Sequence, residues 1–219
     1  MAITSMCDAA ISRYSGAMGQ KDTISVRTLV CALILGCWLP GLALSTDTEI
    51  SIIGRDAWHA RPPRDDSSTW AEYDRKRPPD TRIVLHVTSM GRGYGEIEMK
   101  RIQDFHMDER GFSDIGYNYL IDSDGNIFEG RSLDYVPAHA GRTLEADEGH
   151  DITLDPDYGS IGIVFSADTN ETLTVSQTDS AVALIDWLEA RHPITSVITH
   201  TEVRRTIEAR GLTPRRDFD

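Results

Sequence analysis

The sequence has no cysteine beyond residue 37. All three cysteines of the 219-residue chain, Cys7, Cys31 and Cys37, lie near its beginning. A stretch without cysteine forms no disulfide bonds, and a metal ion bound there needs histidine, aspartate or glutamate ligands. The remaining chain must therefore be stabilised by its core. Its length suits one well-cored domain with an appendage and is too short for two large domains.

Basic residues are also scarce. Lysine and arginine number 22 against 35 aspartates and glutamates, which gives a net charge of −13. This acidity excludes proteins that bind nucleic acid by neutralising its phosphates, so we expect no nucleic-acid partner. The apolar fraction of 40% is that of a globular protein, so we do not expect general disorder.

A long apolar run occurs only near the beginning of the chain. Residues 29–44, LVCALILGCWLPGLAL, carry no charge and follow Lys21 and Arg27, and the run ends at ALS (43–45), with small residues at positions 43 and 45. The pattern predicts a secretory signal peptide over residues 1–45, and hence export to the periplasm or the extracellular space. An N-terminal membrane anchor is the alternative, although a spanning helix needs roughly 20 apolar residues. We expect membrane contact only through this leader, if it is uncleaved or lipidated.

After the leader, an irregular segment at 46–80 precedes a region of alternating strand and helix patterns. The predicted strands and hairpin are 82–88, 116–131 (turning at Asp124-Gly125), 160–167 and 196–200, and the predicted helices are 96–110 and 174–193. Thr174 and Gln177 stand at capping-box spacing before the second helix. Together these patterns predict an α/β fold, a single domain over 81–219 with a mixed central β-sheet flanked by helices.

Two of the predicted strands carry a histidine. His86 lies among the apolar residues of "TRIVLHVTSM", and His200 ends "SVITH". Strand ends are where ligand-binding groups gather in α/β sheets. Two imidazoles, one carboxylate and an open position form the usual catalytic zinc site, in which the metal activates water and polarises a carbonyl. The carboxylates that follow the second histidine are Glu202, Glu208, Asp217 and Asp219.

Six ordered blocks of the sequence resemble one known family. They are IGRDAWHARPP (53–63), IVLHVT (83–88), GFSDIGYNYLIDSDGNIFEGR (111–131), AHAG (138–141), SIGIVF (160–165) and ITHTEV (198–203). The chain from about residue 55 thus resembles the type 2 N-acetylmuramoyl-L-alanine amidases, a family that includes phage lysozyme-amidases and peptidoglycan recognition proteins. The resemblance implies an α/β fold with a zinc site at the strand ends.

The resemblance also implies which residues bind the metal and act on the substrate. His86 and His200 match the zinc histidines. Tyr117 matches the catalytic tyrosine, and Val164 stands where another branch of the family has a catalytic glutamate. Asp219 is expected to be the third zinc ligand, with Asp217 as the alternative, although the Pro-Gly that commonly follows this ligand is missing here.

Three further residues are expected to contact substrate. His139 of "AHAG" matches a groove histidine of the family. Asn118 and Arg131 either line the same groove or brace the hairpin. The remaining histidines are expected to be structural or solvated: His59, His106, His150 and His192.

The function implied is zinc-dependent hydrolysis of the amide bond between N-acetylmuramic acid and L-alanine in peptidoglycan. Peptidoglycan or its muropeptides are then the partners, and Zn²⁺ is the cofactor. The alternative is a peptidoglycan-binding receptor without catalysis, because family members that lose the third zinc ligand bind but do not cut.

Overall fold

A computed structural model describes residues 50–64, 79–141, 143–149 and 151–213 of the chain. The predicted leader at 1–45 and the candidate ligands Asp217 and Asp219 lie outside these residues. Within them, no helix is long and apolar enough to cross a membrane.

The centre of the described structure is a six-stranded mixed sheet. Its strands are β1 (Ile52–Ile53), β2 (Arg82–Val87), β3 (Tyr119–Ile121), β4 (Ile127–Glu129), β5 (Ser160–Phe165) and β6 (Ser196–Thr199). They lie side by side in the order β1-β4-β3-β5-β2-β6. Only the β3–β4 hairpin is antiparallel; the other four neighbouring pairs are parallel. The parallel register places His86 opposite Val164 of β5.

The helices are α1 (Gly95–Asp104), α2 (Leu144–Gly149), α3 (Val175–Glu189) and α4 (His200–Ala209), and α1 continues into a π-helical turn at Phe105–Glu109. Helix α3 covers one face of the sheet with Ala181, Leu184, Ile185 and Leu188, which pack on Ile83 and Leu85 and their neighbours. Successive side chains of a strand point to opposite faces, so Arg82, Val84 and His86 of β2 point away from α3.

The other face is covered in two parts. Met99 and Ile102 of α1 pack with Trp58 against Leu120, Phe128 and Val164. Val203 and Ile207 of α4 pack with Ala140 against Val84. His86 shares this face with Val84 and Val164 and lies between these two apolar clusters. Buried apolar side chains therefore flank its imidazole on both sides.

The predicted α/β class is confirmed, with differences at four points. Residues 50–64 contribute strand β1 and the fully buried Trp58 to a segment predicted to be irregular. The predicted helix 96–110 ends in a π-helical turn. The predicted helix 174–193 has its capping box but ends at Glu189. His200 begins α4 rather than ending a strand, because Thr199 and Glu202 form a second capping box.

Candidate active site

The site is built around the imidazole of His86. His86 is 6% exposed, and three aromatic rings surround it, with centroid distances of 5.2 Å to Tyr117, 4.9 Å to His139 and 5.0 Å to His200. Burial, together with the neighbouring His139 and His200, lowers the pKa of His86 well below its usual range. The ring is therefore neutral at pH 7, which is the form of imidazole that binds metal ions.

His200 reaches the site because a helix begins at the end of β6. Thr199 is the N-cap of α4: its hydroxyl accepts from the backbone N–H of Glu202, and the Glu202 carboxylate accepts from the backbone N–H of Thr199 at 2.7 Å. Since β6 lies beside β2 in parallel, the first residue of α4 is placed next to His86. The predicted pair of strand-end histidines is thus brought together.

Two of the four candidate carboxylates have other contacts. Glu202 closes the capping box of α4 and also accepts from the Thr199 hydroxyl at 2.9 Å. Glu208 is exposed and lies 3.8 Å from Arg204 on the next turn of the helix. Across the described part of the chain, no three His, Cys, Asp or Glu side chains form a group that could hold a metal ion. The third ligand therefore stays a prediction for Asp219 or Asp217.

Tyr117 lies between two histidines. Its ring is 5.2 Å from that of His86 and 5.4 Å from that of His106, measured between centroids. Burial raises the pKa of Tyr117 to about 12, against a smaller opposing effect of Arg110. The hydroxyl keeps its proton at neutral pH and can donate a hydrogen bond to an oxygen that gains negative charge.

His139 is in direct contact with His86. Its Nδ1 lies 3.0 Å from Nε2 of His86, and its side chain is fully buried. Asp157 fixes the loop that carries it, because one carboxylate oxygen accepts from the backbone N–H groups of His139 and Ala140 at 3.0 and 2.8 Å. Gly162 leaves room for the ring, since a Cβ there would lie only 2.3 Å from the imidazole.

Asn118 and Arg131 form hydrogen bonds with backbone groups that hold the hairpin in place. Asn118 is fully buried, accepts from the Gly162 N–H and donates to the Arg131 carbonyl. The guanidinium of Arg131 donates to the carbonyls of Asp114, Ile115 and Val136. These contacts tie the hairpin to β5 and to the segment before Tyr117. Substrate contact by His139, Asn118 or Arg131 stays a prediction.

One family matches the sequence over most of the described domain. The model of the family described as N-acetylmuramoyl-L-alanine amidase covers residues 75–214, which is more than half of the chain. This chain belongs to the N-acetylmuramoyl-L-alanine amidase family. The match confirms the family predicted from the sequence blocks.

Relatives of this family member include insect recognition proteins. Peptidoglycan-recognition protein SD of Drosophila simulans is 32% identical over 136 residues, which are 60% of this chain and 63% of that protein. Peptidoglycan-recognition protein SC2 of Drosophila melanogaster is 37% identical over 100 residues, which are 45% and 47% of the two chains. The chain thus spans less than two thirds of the length of these relatives.

Solved structures share the fold. The crystal structure of Drosophila peptidoglycan recognition protein SD has a TM-score of 0.56 and 26% identity, and the match covers 71% of this chain and 85% of that one. Peptidoglycan recognition protein LE, solved in complex with tracheal cytotoxin, a monomeric diaminopimelic acid-type peptidoglycan, has a TM-score of 0.52 and 26% identity over 68% and 81% of the two chains. The mixed sheet with helices on both faces is therefore that of the amidase family.

Sequence reasoning missed two residues that contact His139: Asp157, which accepts from its backbone N–H, and Ser160, whose Oγ lies 3.3 Å from its Nε2. "DPDYGS" carries turn signals, which predict the turn before β5 but not its contact with a loop 18 residues earlier. His106 was predicted to be structural or solvated, and it is structural. The π-helical turn directs its ring inward, where Nδ1 accepts from the backbone N–H of Gly116.

His106 is expected to make the stability of this amidase-family chain depend on pH. Burial, with Arg131 and Arg110 adding, lowers the pKa of His106 to about 3. Between that value and the usual histidine pKa of about 6.5, the unfolded chain binds a proton that the folded chain does not. Above pH 6.5, His106 therefore does not reduce the free energy of unfolding. As the pH falls from 6.5 towards 3, the free energy of unfolding decreases by up to about 1.4 kcal/mol per pH unit.

Denaturant unfolding of His106→Asn between pH 7 and pH 4 measures this effect. We expect a shallower loss of stability in the variant than in the parent chain, because Asn does not titrate. His59→Asn is the matched control, since His59 is exposed and its positive φ of 56° suits asparagine. Parallel pH curves for His106→Asn and the parent would show that His106 is not the group responsible.

Proposed function

We propose that the protein is a zinc hydrolase that cleaves the amide bond between N-acetylmuramic acid and L-alanine in peptidoglycan. The observation that carries the proposal is the pair of adjacent imidazoles of His86 and His200 beside Tyr117, in a chain of the amidase family. Peptidoglycan or muropeptides are the proposed partners, in keeping with the complex of the related recognition protein LE with tracheal cytotoxin.

The donors present fit zinc. His86 is buried, and its lowered pKa keeps the imidazole neutral, so a metal ion can bind without first displacing a proton from a charged ring. His200 lies beside it at the start of α4, and Asp219 is proposed as the carboxylate that completes the site. When bound, zinc supplies Lewis-acid polarisation of the amide carbonyl and lowers the pKa of water.

The chain's own residues would hold and orient the reacting groups. The protonated hydroxyl of Tyr117 would donate a hydrogen bond to the carbonyl oxygen as negative charge develops there, which lowers the barrier to attack on an amide. The apolar clusters on either side of His86 would limit access of bulk water. Hydrolysis breaks the C–N bond and leaves a carboxylate on the sugar's lactyl group and an amine on the L-alanine.

Digestion of purified muropeptides tests the proposal. We expect mass spectrometry to show separated sugar and stem peptide, and a chelator to stop the reaction until Zn²⁺ is restored. Substrate that stays intact with the zinc-loaded full-length protein would contradict it.

A receptor without catalysis is the second candidate. It is favoured by the names of the relatives, which are recognition proteins. Binding of intact muropeptide to the zinc-loaded chain without any product would support this alternative.

We further propose that the protein is exported and acts in the periplasm or the extracellular space. The charge-free run at 29–44 after Lys21 and Arg27 supports this, as does the substrate, which lies outside the cytoplasmic membrane. N-terminal sequencing of the secreted protein is expected to give a start near Thr46. A product that still carries residues 29–44 would favour the membrane anchor.

A further inference from the structure

A line of three side chains leads from β5 to the centre of the site. Ser160 Oγ lies 3.3 Å from Nε2 of His139, and Nδ1 of His139 lies 3.0 Å from Nε2 of His86. All three residues are buried. In a neutral imidazole one nitrogen donates and the other accepts. The direction of the Ser160 hydroxyl proton therefore determines which nitrogen of His139, and then which nitrogen of His86, carries a proton.

The Asp157 carbonyl fixes the direction of the Ser160 hydroxyl. Ser160 Oγ lies 2.9 Å from the backbone carbonyl oxygen of Asp157. A carbonyl oxygen only accepts, so the serine proton is directed to it and a lone pair of Oγ faces His139. As a neutral imidazole, His139 then carries its proton on Nε2. Its Nδ1 is left as an acceptor towards His86.

The opposite arrangement leaves worse contacts. If Nδ1 of His139 carried the proton, Ser160 would have to turn its hydroxyl from the Asp157 carbonyl at 2.9 Å to Nε2 at 3.3 Å. The carboxylate of Asp157 does not hold that proton either, because it lies 3.6 Å from Nδ1, beyond hydrogen-bond reach.

We propose that His139 is a positioning residue that sets the tautomer of His86. By accepting from Nε2–H of His86, it leaves the lone pair of His86 on Nδ1, which is the nitrogen that would bind the metal. Metal-binding histidines are commonly oriented by a hydrogen bond from their other nitrogen, and here His139, in contact with Ser160, would accept that bond. The inference deepens the proposed function and rests on it for the metal alone; the tautomer is a property of the chain.

The position of His139 is held by the two contacts already described. Asp157 accepts from its backbone N–H, and the missing Cβ of Gly162 gives its ring the space to lie on β5. Because the His139 side chain is already held in place, its Nδ1 can accept from His86 without a further loss of side-chain entropy. His139 thus acts on the reaction through His86.

Nitrogen-15 NMR of the histidine-labelled full-length chain tests the tautomer directly. The spectra are recorded on the zinc-loaded protein and after removal of metal with a chelator, and His86 is assigned by loss of its signals in His86→Gln. We expect a proton on Nε2 of His86 and none on Nδ1 in both forms. A proton on Nδ1 of His86 would overturn the inference. If the chain binds no zinc, the proposed function fails, and the metal-free spectrum still decides the tautomer.

Zinc affinity of matched variants provides a second readout. His139→Leu removes the acceptor, whereas the side-chain oxygen of asparagine in His139→Asn can take the place of Nδ1. We expect competition with a chelator to show a loss on the order of tenfold to a hundredfold for His139→Leu, with most of the affinity restored in His139→Asn. Ser180→Ala is the control, because it removes the hydrogen bond that the Ser180 hydroxyl donates to the Gly125 carbonyl, away from the site. Unchanged zinc affinity in folded His139→Leu would contradict the role.

Discussion

Replacing His86 or His200 with alanine is expected to abolish zinc binding and hydrolysis. Each variant would leave at most two of three proposed protein ligands, and zinc held by two ligands binds weakly and without fixed geometry. We expect the loss of affinity to exceed the roughly tenfold to hundredfold that follows removal of a group supporting a ligand. Elemental analysis after dialysis gives the zinc content, and digestion of muropeptides gives the activity.

His192→Ala is the matched control for these two variants. His192 lies 3.4 Å from Asp80, next to the start of β2 and thus at the opposite end of that strand from His86. Its loss removes one imidazole from the protein, and zinc content is expected to stay at the parent level. Full zinc content and full rate in either His86→Ala or His200→Ala would refute the metal assignment.

Removing Asp219 is expected to have the second largest effect. The family's metal-binding acid follows the second histidine, and the resemblance favours Asp219 over Asp217. Glu202 is engaged in the cap of α4, and Glu208 is exposed beside Arg204, so neither is placed to replace it. We expect Asp219→Ala to lower zinc affinity by at least about tenfold to a hundredfold and to remove most of the activity.

Asp217→Ala is the natural comparison, since it removes a carboxylate only two residues away. Its metal content is expected to stay nearly intact. The reverse result would identify Asp217 as the ligand. Zinc retained in both variants would show that the alignment after His200 is wrong and would direct attention to Glu202 and Glu208.

The layers of the fold could be predicted because they depend on local patterns. Strand β2 shows the β-branched residues of a buried strand, and α3 shows its capping box in Thr174 and Gln177. Strand β1 has only two residues, too few for any alternation to be recognised, and it exists because it pairs with β4, 75 residues later in the register. The start of α4 could have been predicted from the sequence, since Thr199 and Glu202 have capping-box spacing.

The site was predictable in its residue types but not in its contacts. His86 was recognisable as an imidazole in an apolar strand, and His200 and Tyr117 were predicted from the sequence blocks that resemble the family. The contact between His86 and His139 joins residues 53 positions apart, and it depends on Gly162 and Asp157 to place the second ring. Such a contact comes from tertiary packing of a loop on β5, for which a single sequence holds no periodic signal.

Hydrolysis in water enriched in oxygen-18 tests the central claim most directly. The zinc-loaded full-length protein is incubated with a muropeptide, and the sugar and the stem peptide are analysed separately by mass spectrometry. We predict one oxygen-18 atom on the lactyl carboxylate of the N-acetylmuramic acid, none on the released peptide, and a free amine on its L-alanine. Muropeptide that is bound but recovered intact and without label would contradict the account and identify the protein as a receptor.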